Sequence, residues 1–244
     1  MVLRQVPQAQ VLIDKGINML MRRGSLLKKS GVSEEQAKKP QITTARRENG
    51  MLYLTIDNGN GLKQNITFID FPEIQQVYDF DCGAASMRTL MTYYGSDIRE
   101  GEIMEIAGTS KDFGTKTSGL KSVAEKAGMK YKMGSMTIKE LKDLISKAVP
   151  VQVLIQAWSG EENFEYGFDF NNGHYVVAVG FDEEGKIYFE DPWASARVWM
   201  TEEEFDKRWV AKFQGPEEKE IFHFGFYFTD SKPKFRASEF PHLT

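Results

Sequence analysis

Asp81-Cys-Gly-Ala-Ala-Ser-Met-Arg-Thr-Leu-Met-Thr-Tyr-Tyr94, with Gly95 directly after it, is the stretch on which the reading of this 244-residue chain turns. Ala84, Met87, Met91 and Tyr94 recur at helical spacing, and Gly95 stands where a left-handed C-terminal cap is expected. The stretch therefore predicts one helix with Cys82 in its first turn. Cys82 is the only cysteine, so no intramolecular disulfide can form and thiolates are too few for a structural zinc site. A lone cysteine is either a small core residue or a reactive thiol. A helix N-terminus favours the thiolate, and Asp-Cys-Gly at a helix start points to the reactive reading.

Downstream, two more helices are predicted. One runs from Ser118 to Ala127 with Gly128 after it; the other runs from Ile138 to Ala148 and is opened by a Thr137/Glu140 capping box. Strands then follow one another: Val151 to Gln156, Tyr175 to Val179, Lys186 to Glu190, Ala196 to Met200 and Phe222 to Phe228. A second capping box, Thr201/Glu204, precedes a short helix through Trp209. Helices first and consecutive strands afterwards predict an α+β fold, a helix bundle packed on an antiparallel sheet.

Upstream the patterning weakens. Residues 1–70 read as an N-terminal extension: a helix from Gln10 to Arg23, a basic polar linker from Lys28 to Arg47, and a β-hairpin. Met51 to Ile56 and Ile66 to Ile69 form the hairpin arms around Asn58-Gly59-Asn60-Gly61. Residues 71–230 are the expected catalytic domain and 231–244 a C-terminal tail. The extension is a candidate partner-docking arm or propeptide.

Composition narrows the function classes. Hydrophobic residues at 41% and charged residues at 27% fit a globular enzyme. A net charge of −4 offers no general attraction for nucleic acid or anionic lipid. The longest early apolar run, Val11-Leu12-Ile13, is followed by Asp14 and Lys15, which is no signal peptide. No run approaches the roughly 18 apolar residues that span a bilayer. The expected setting is cytoplasmic, with no cofactor and no metal.

A thiol nucleophile needs a base, and the chain has three histidines. His242 lies in the polar tail and His223 within an aromatic strand. His174 follows Asn171-Asn-Gly173 and starts an apolar strand, so its ring is expected at a sheet end beside a loop, where catalytic groups concentrate. Asp191 ends the next strand just before Pro192, which biases it toward extended geometry and lets its carboxylate orient the imidazole. Donors for an oxyanion are expected from the Cys82 backbone N–H and the side chain of Gln76, with Gln75 as the neighbouring alternative. The acidic and aromatic stretch from Trp158 to Gly173 lies directly ahead of His174. Trp158, Phe164, Tyr166 and Gly173 are its candidate substrate-binding residues, set against an exposed hairpin with ordinary packing.

Gln76-Val-Tyr-Asp-Phe-Asp-Cys82-Gly-Ala-Ala with Tyr93-Tyr-Gly95, then Gly173-His-Tyr-Val-Val177, then Glu190-Asp-Pro192, resemble the C39 (bacteriocin-processing, double-glycine) cysteine peptidases and their C39-like relatives. The likeness covers about residues 72–228. It implies a papain-like fold and a peptide or protein substrate, with Cys82 as nucleophile, His174 as general base and acid, Asp191 as its partner and Gln76 as oxyanion donor. Relatives on export machines continue into a transporter and an ATPase, whereas this sequence ends at Thr244, so peptide hydrolysis is the expectation and double-glycine specificity is not. Two alternatives remain: a thiol acyltransferase or amide hydrolase acting on a small molecule, and a non-catalytic papain-like binding module.

Overall fold

Two segments of the second half are apolar at nearly every position, which marks strands covered on both faces rather than one. They form the middle of the sheet: β5 (Val151–Gln156) is buried throughout, and β6 (Gly173–Asp182) is buried at all but two positions. The computed structural model describes residues 41–59, 61–157, 173–213 and 219–235. The expected helix Gln10 to Arg23 and linker residues 28–40 lie outside them.

The first described elements are β1 (Gln41–Glu48), β2 (Met51–Asp57) and β3 (Lys63–Ile69), followed by helices α1 (Cys82–Tyr93), α2 (Glu100–Ala107) and α3 (Thr117–Lys126). After β4 (Tyr131–Ser135) and α4 (Ile138–Ile145) come β5, β6, β7 (Lys186–Asp191) and β8 (Ala196–Thr201). The chain closes with α5 (Glu202–Arg208), β9 (Val210–Phe213), β10 (Lys219–Phe222) and β11 (Phe224–Phe228). Nine strands make one sheet, with the path β1-β2-β3-β6-β5-β11-β4, and β7 joins β6 to β8. Every described pairing is antiparallel. α1 and α4 pack against β6, and α5 packs against β5 and β7. This is the expected α+β arrangement of helices on an antiparallel sheet. No helix among the described residues is long and apolar enough to cross a membrane.

Several expectations hold closely. The hairpin pairs Met51 with Ile69 and Asp57 with Lys63, and Thr137 and Glu140 make the reciprocal capping box. Others change. Residues 41–47, read as polar linker, form most of β1. Its side chains are largely exposed, so polarity reflects an edge strand rather than a missing one. The Thr201 hydroxyl does accept from Glu204 N–H, although the reciprocal bond is absent from this cap. The helix from Ile138 ends at Ile145, and Ala148 turns left-handed at φ 57°.

The strand expected from Phe222 to Phe228 is broken at His223, whose φ is 55°. There the chain leaves β9 for β11's partners β4 and β5, with His223 N–H donating to Trp209 O and its carbonyl accepting from Met136. The hairpin reaches the central sheet through β3–β6 pairing at Gly180. A Cβ there would sit 2.7 Å from the Thr67 carbonyl oxygen, so the close approach of the two backbones requires glycine.

Candidate active site

Cys82 is the first residue of α1, and its exposure is only 9%. Asp81, at the N-cap, places no side-chain bond on the helix end. The first-turn N–H groups of α1 therefore keep their partial positive charge beside the thiol. Gly83 permits the helix to seat deeply. A Cβ on it would meet Thr115 at 2.6 Å and the Tyr175 ring at 2.9 Å. Two buried polar bonds fix the seat: Gln152 Nε2–H donates to Gly83 O at 3.0 Å, and the Ser86 hydroxyl donates to Tyr175 O at 3.2 Å.

His174 is the second residue of β6, pairing with Ile155 of β5, and is buried. Asp191 ends β7, the next strand in the sheet. His174 Nε2 lies 2.8 Å from Asp191 Oδ1. The same oxygen accepts from Trp193 N–H at 2.9 Å, which holds the carboxylate in place. With Nε2 engaged, Nδ1 is the ring nitrogen left for Cys82, to which His174 also bonds. Burial, the largest single influence, pushes His174 downward. The bonds to Asp191 and Cys82, with the charges of both, outweigh it and raise His174 to about 9. The three residues that the sequence selected are thus brought together by a helix start and two adjacent strand ends.

Gln76 lies on the segment leading into α1. Its backbone N–H donates to Pro192 O at 3.0 Å, which ties the segment to the residue after Asp191. Its side-chain Nε2–H donates to Tyr78 O at 2.5 Å, and its Oε1 is buried without a partner. Gln75 is exposed. Gly173 is exposed at the start of β6, opposite Gln156. Trp158, Phe164 and Tyr166 lie outside the described residues, as does His242. His223 belongs elsewhere: it stacks on Trp209 and approaches Asp206 at 3.4 Å.

Sequence reasoning missed two buried acids near this site. Glu100, on α2, faces Asp81. Glu190, on β7 beside Asp191, is 1% exposed, with Arg197 Nε 3.7 Å away. Neither was given a role by the sequence, although Glu190 stands in the Glu190-Asp-Pro192 stretch; only the packing makes them unusual. Burial drives Glu190 up to about 8, against the lowering pull of Arg197 and with smaller upward pushes from Glu73 and Asp191. A carboxyl raised on folding contributes stability that is lost as pH rises from its unfolded value toward 8. Urea denaturation of Glu190→Gln and the parent at about pH 5 and about pH 8.5 should show the parent losing on the order of 2 kcal/mol more than the variant across that range. Parallel losses in both would show that Glu190 is ionised throughout.

The model of the Peptidase C39 family matches residues 70–214, more than half of the chain and the whole of this site. The chain belongs to the Peptidase C39 family. Among curated proteins, this C39 chain is similar to the lactococcin-G-processing and transport ATP-binding protein LagD of Lactococcus lactis subsp. lactis, 29% identical over 149 residues, which cover 60% of this chain and 19% of that protein. It is similar as well to the transport/processing ATP-binding protein ComA of Streptococcus pneumoniae, 31% identical over 146 residues, covering 58% and 18%. The chain thus spans about a fifth of the length of the curated relatives it matches. Among solved structures, the peptidase domain of Streptococcus ComA aligns at TM-score 0.47 and 22% identity, over 64% of this chain and 95% of that one. A double-glycine-motif protease from an AMS/PCAT transporter, in complex with its leader peptide, aligns at 0.46 and 23%, over 67% and 92%.

Proposed function

We propose that this C39 chain is a cysteine peptidase that cleaves a peptide substrate through Cys82, His174 and Asp191. The observation that carries the reading is an imidazole bonded to Asp191 on one nitrogen and to Cys82 through the other, with the thiol at a helix N-terminus. In the proposed reaction His174, raised to about 9, carries the proton that Cys82 gives up to become the nucleophile. Sγ attacks the scissile carbonyl carbon and the carbonyl π pair moves to oxygen. The Cys82 N–H and the Gln76 amide are the proposed donors to that oxyanion, which requires Gln76 Nε2 to turn from Tyr78 O toward substrate. His174 then gives its proton to the leaving nitrogen as the C–N bond breaks, leaving a thioester. Water, deprotonated by His174, adds to the thioester; the C–S bond breaks and the imidazolium–thiolate pair returns.

The names of the curated relatives, a lactococcin-G-processing and transport protein and a transport/processing protein, support a peptide as substrate. Trp158, Phe164, Tyr166 and Gly173 remain the proposed substrate contacts. A cytoplasmic setting, in which a catalytic thiol is kept reduced, is part of the same proposal. In the proposed docking role of residues 1–70, β1 is the described part suited to it, an edge strand with exposed side chains.

The test is paired. Cys82 alkylation by iodoacetamide is followed by intact mass from about pH 5 to about pH 9, and cleavage is assayed on a peptide panel that includes a Gly-Gly junction. Fast labelling that persists below about pH 7 together with release of a new peptide amine is expected; labelling that rises only above about pH 8, as for an unassisted thiol, would overturn the reading.

A further inference from the structure

Between Gln76 and Cys82 the chain runs over two carboxyl groups that the proposed reaction does not use. Asp81 is fully buried and Glu100 is 6% exposed. Asp81 Oδ2 accepts from Tyr78 N–H at 3.1 Å, and Glu100 Oε1 accepts from Val77 N–H at 3.2 Å. One oxygen of each carboxyl, Asp81 Oδ1 and Glu100 Oε2, is left with no other hydrogen-bond partner. The two side chains face each other within hydrogen-bonding reach, and two carboxyls can bond only when one of them holds a proton. Among the described residues, the cation facing the pair is Arg88 of α1, whose Nη1 is 3.7 Å from Glu100 Oε2 and whose side chain is 36% exposed. That is too distant and too wet to neutralise two buried charges.

We infer that Glu100 and Asp81 form a proton-sharing carboxyl pair that clamps the 76–81 segment and so positions Gln76 beside Cys82. The inference rests on the proposed reading for its catalytic consequence, though not for the clamp itself. The segment is tied at one end to Pro192 O through Gln76 N–H and underpinned at the other by the pair, which holds two successive amides, those of Val77 and Tyr78. The Gln76 backbone belongs to this same segment, so any shift of the segment moves the point from which its side chain must turn from Tyr78 O toward substrate.

Burial first, then the bond to Asp81 and its charge, raise Glu100 to about 7, against lowering contributions from the Val77 N–H and Arg88. Below that pH the shared proton closes the clamp. Above it Glu100 loses that proton and with it the bond to Asp81, and its charge is disfavoured in a site with little water. Glu100 and Asp81 are therefore positioning residues whose grip weakens with rising pH.

Three readouts test the pair, and two of them need no substrate. In the parent, the carbonyl band of protonated carboxylic acids should lose its Glu100 component as pH rises through about 7, read as the difference spectrum against Glu100→Gln so that the contribution of Glu190 cancels, and hydrogen-exchange protection of the Val77 and Tyr78 amides, corrected for intrinsic rate, should fall over the same range while that of Leu90 in α1 does not. Glu100→Gln keeps a neutral N–H donor at every pH, so it should lack the component that titrates near 7 and hold its protection. On a cleaved peptide, the parent's kcat should fall about tenfold or more between about pH 6 and about pH 8, the cost of a displaced catalytic group. Glu100→Gln should flatten that fall, with KM little changed in either. Glu100→Ala should be slow at all pH; if it does not fold, Glu100→Gln carries the test alone. Protection that is independent of pH, or a Glu100→Gln profile superimposed on the parent, overturns the inference. Intact infrared and exchange behaviour with no cleavage of any peptide would instead overturn the peptidase reading and leave the clamp standing.

Discussion

Cys82→Ala leaves the protein folded and lowers peptide cleavage by about four orders of magnitude or more, to the level set by binding and oxyanion donors alone. The size of the effect follows from chemistry: no other group in the site replaces a sulfur that must form and break a covalent bond, and the chain has no second cysteine. The fold should tolerate the change. Cys82 lies at the start of α1, where alanine is sterically smaller, and the Gln152–Gly83 and Ser86–Tyr175 bonds that seat the helix involve neighbouring residues. Single-turnover cleavage and a thermal melt, run together, check both halves. Cleavage retained within tenfold of the parent would remove Cys82 from the reaction.

His174→Ala is expected to cost nearly as much, about three to four orders of magnitude in kcat, because one side chain serves as proton acceptor and then as donor. It should also separate two properties of the thiol. In the parent, the bonds to Asp191 and Cys82 hold the imidazolium to about pH 9, so alkylation of Cys82 stays fast through neutral pH. The sign is set by the raised value: the paired state is complete below the ordinary histidine range and is lost as pH rises through about 9. Cleavage should therefore decline on the alkaline side near that point. In the variant, Cys82 keeps only its helix N-terminus, and its labelling should slow at neutral pH and recover toward alkaline pH. Unchanged labelling in the variant would mean that the helix end alone activates the thiol. The decline near pH 9 is distinct from the earlier one expected of Glu100, since only the latter disappears in Glu100→Gln.

Local signals carried the site a long way. The apolar spacing of Ala84, Met87 and Met91, closed by Gly95, located α1 to within a residue of its ends. The strand beginning at His174 and the Asp-Pro step after Glu190 placed His174 and Asp191 on consecutive strands, which pair in the structure. The Thr137 box worked because capping is a contact between residues three apart, and its physics needs nothing distant. The elements that went unseen share the opposite character. α2 is short, opens at Arg99 without a side-chain cap and is terminated only by Gly108 at φ 63°. β1 has almost no buried face to produce an apolar alternation, and the break at His223 arises because the strand on either side of it serves different partners.

What the sequence by itself determined was the candidate residues and their local settings: one cysteine at a helix start, one histidine and one aspartate at strand ends, and an α+β order of elements, because residue type, period and capping are local properties of the chain. What only the tertiary structure decided was proximity and its electrical result. The upward push on His174 arises because Asp191 and Cys82 close on it from two different elements, and Glu100 of α2 is brought to the Val77 N–H on the segment before α1, beside Asp81. No period or motif encodes such pairs. Desolvation and charge coupling depend on the distance between groups far apart in sequence, and that distance exists only once the sheet and helices have packed.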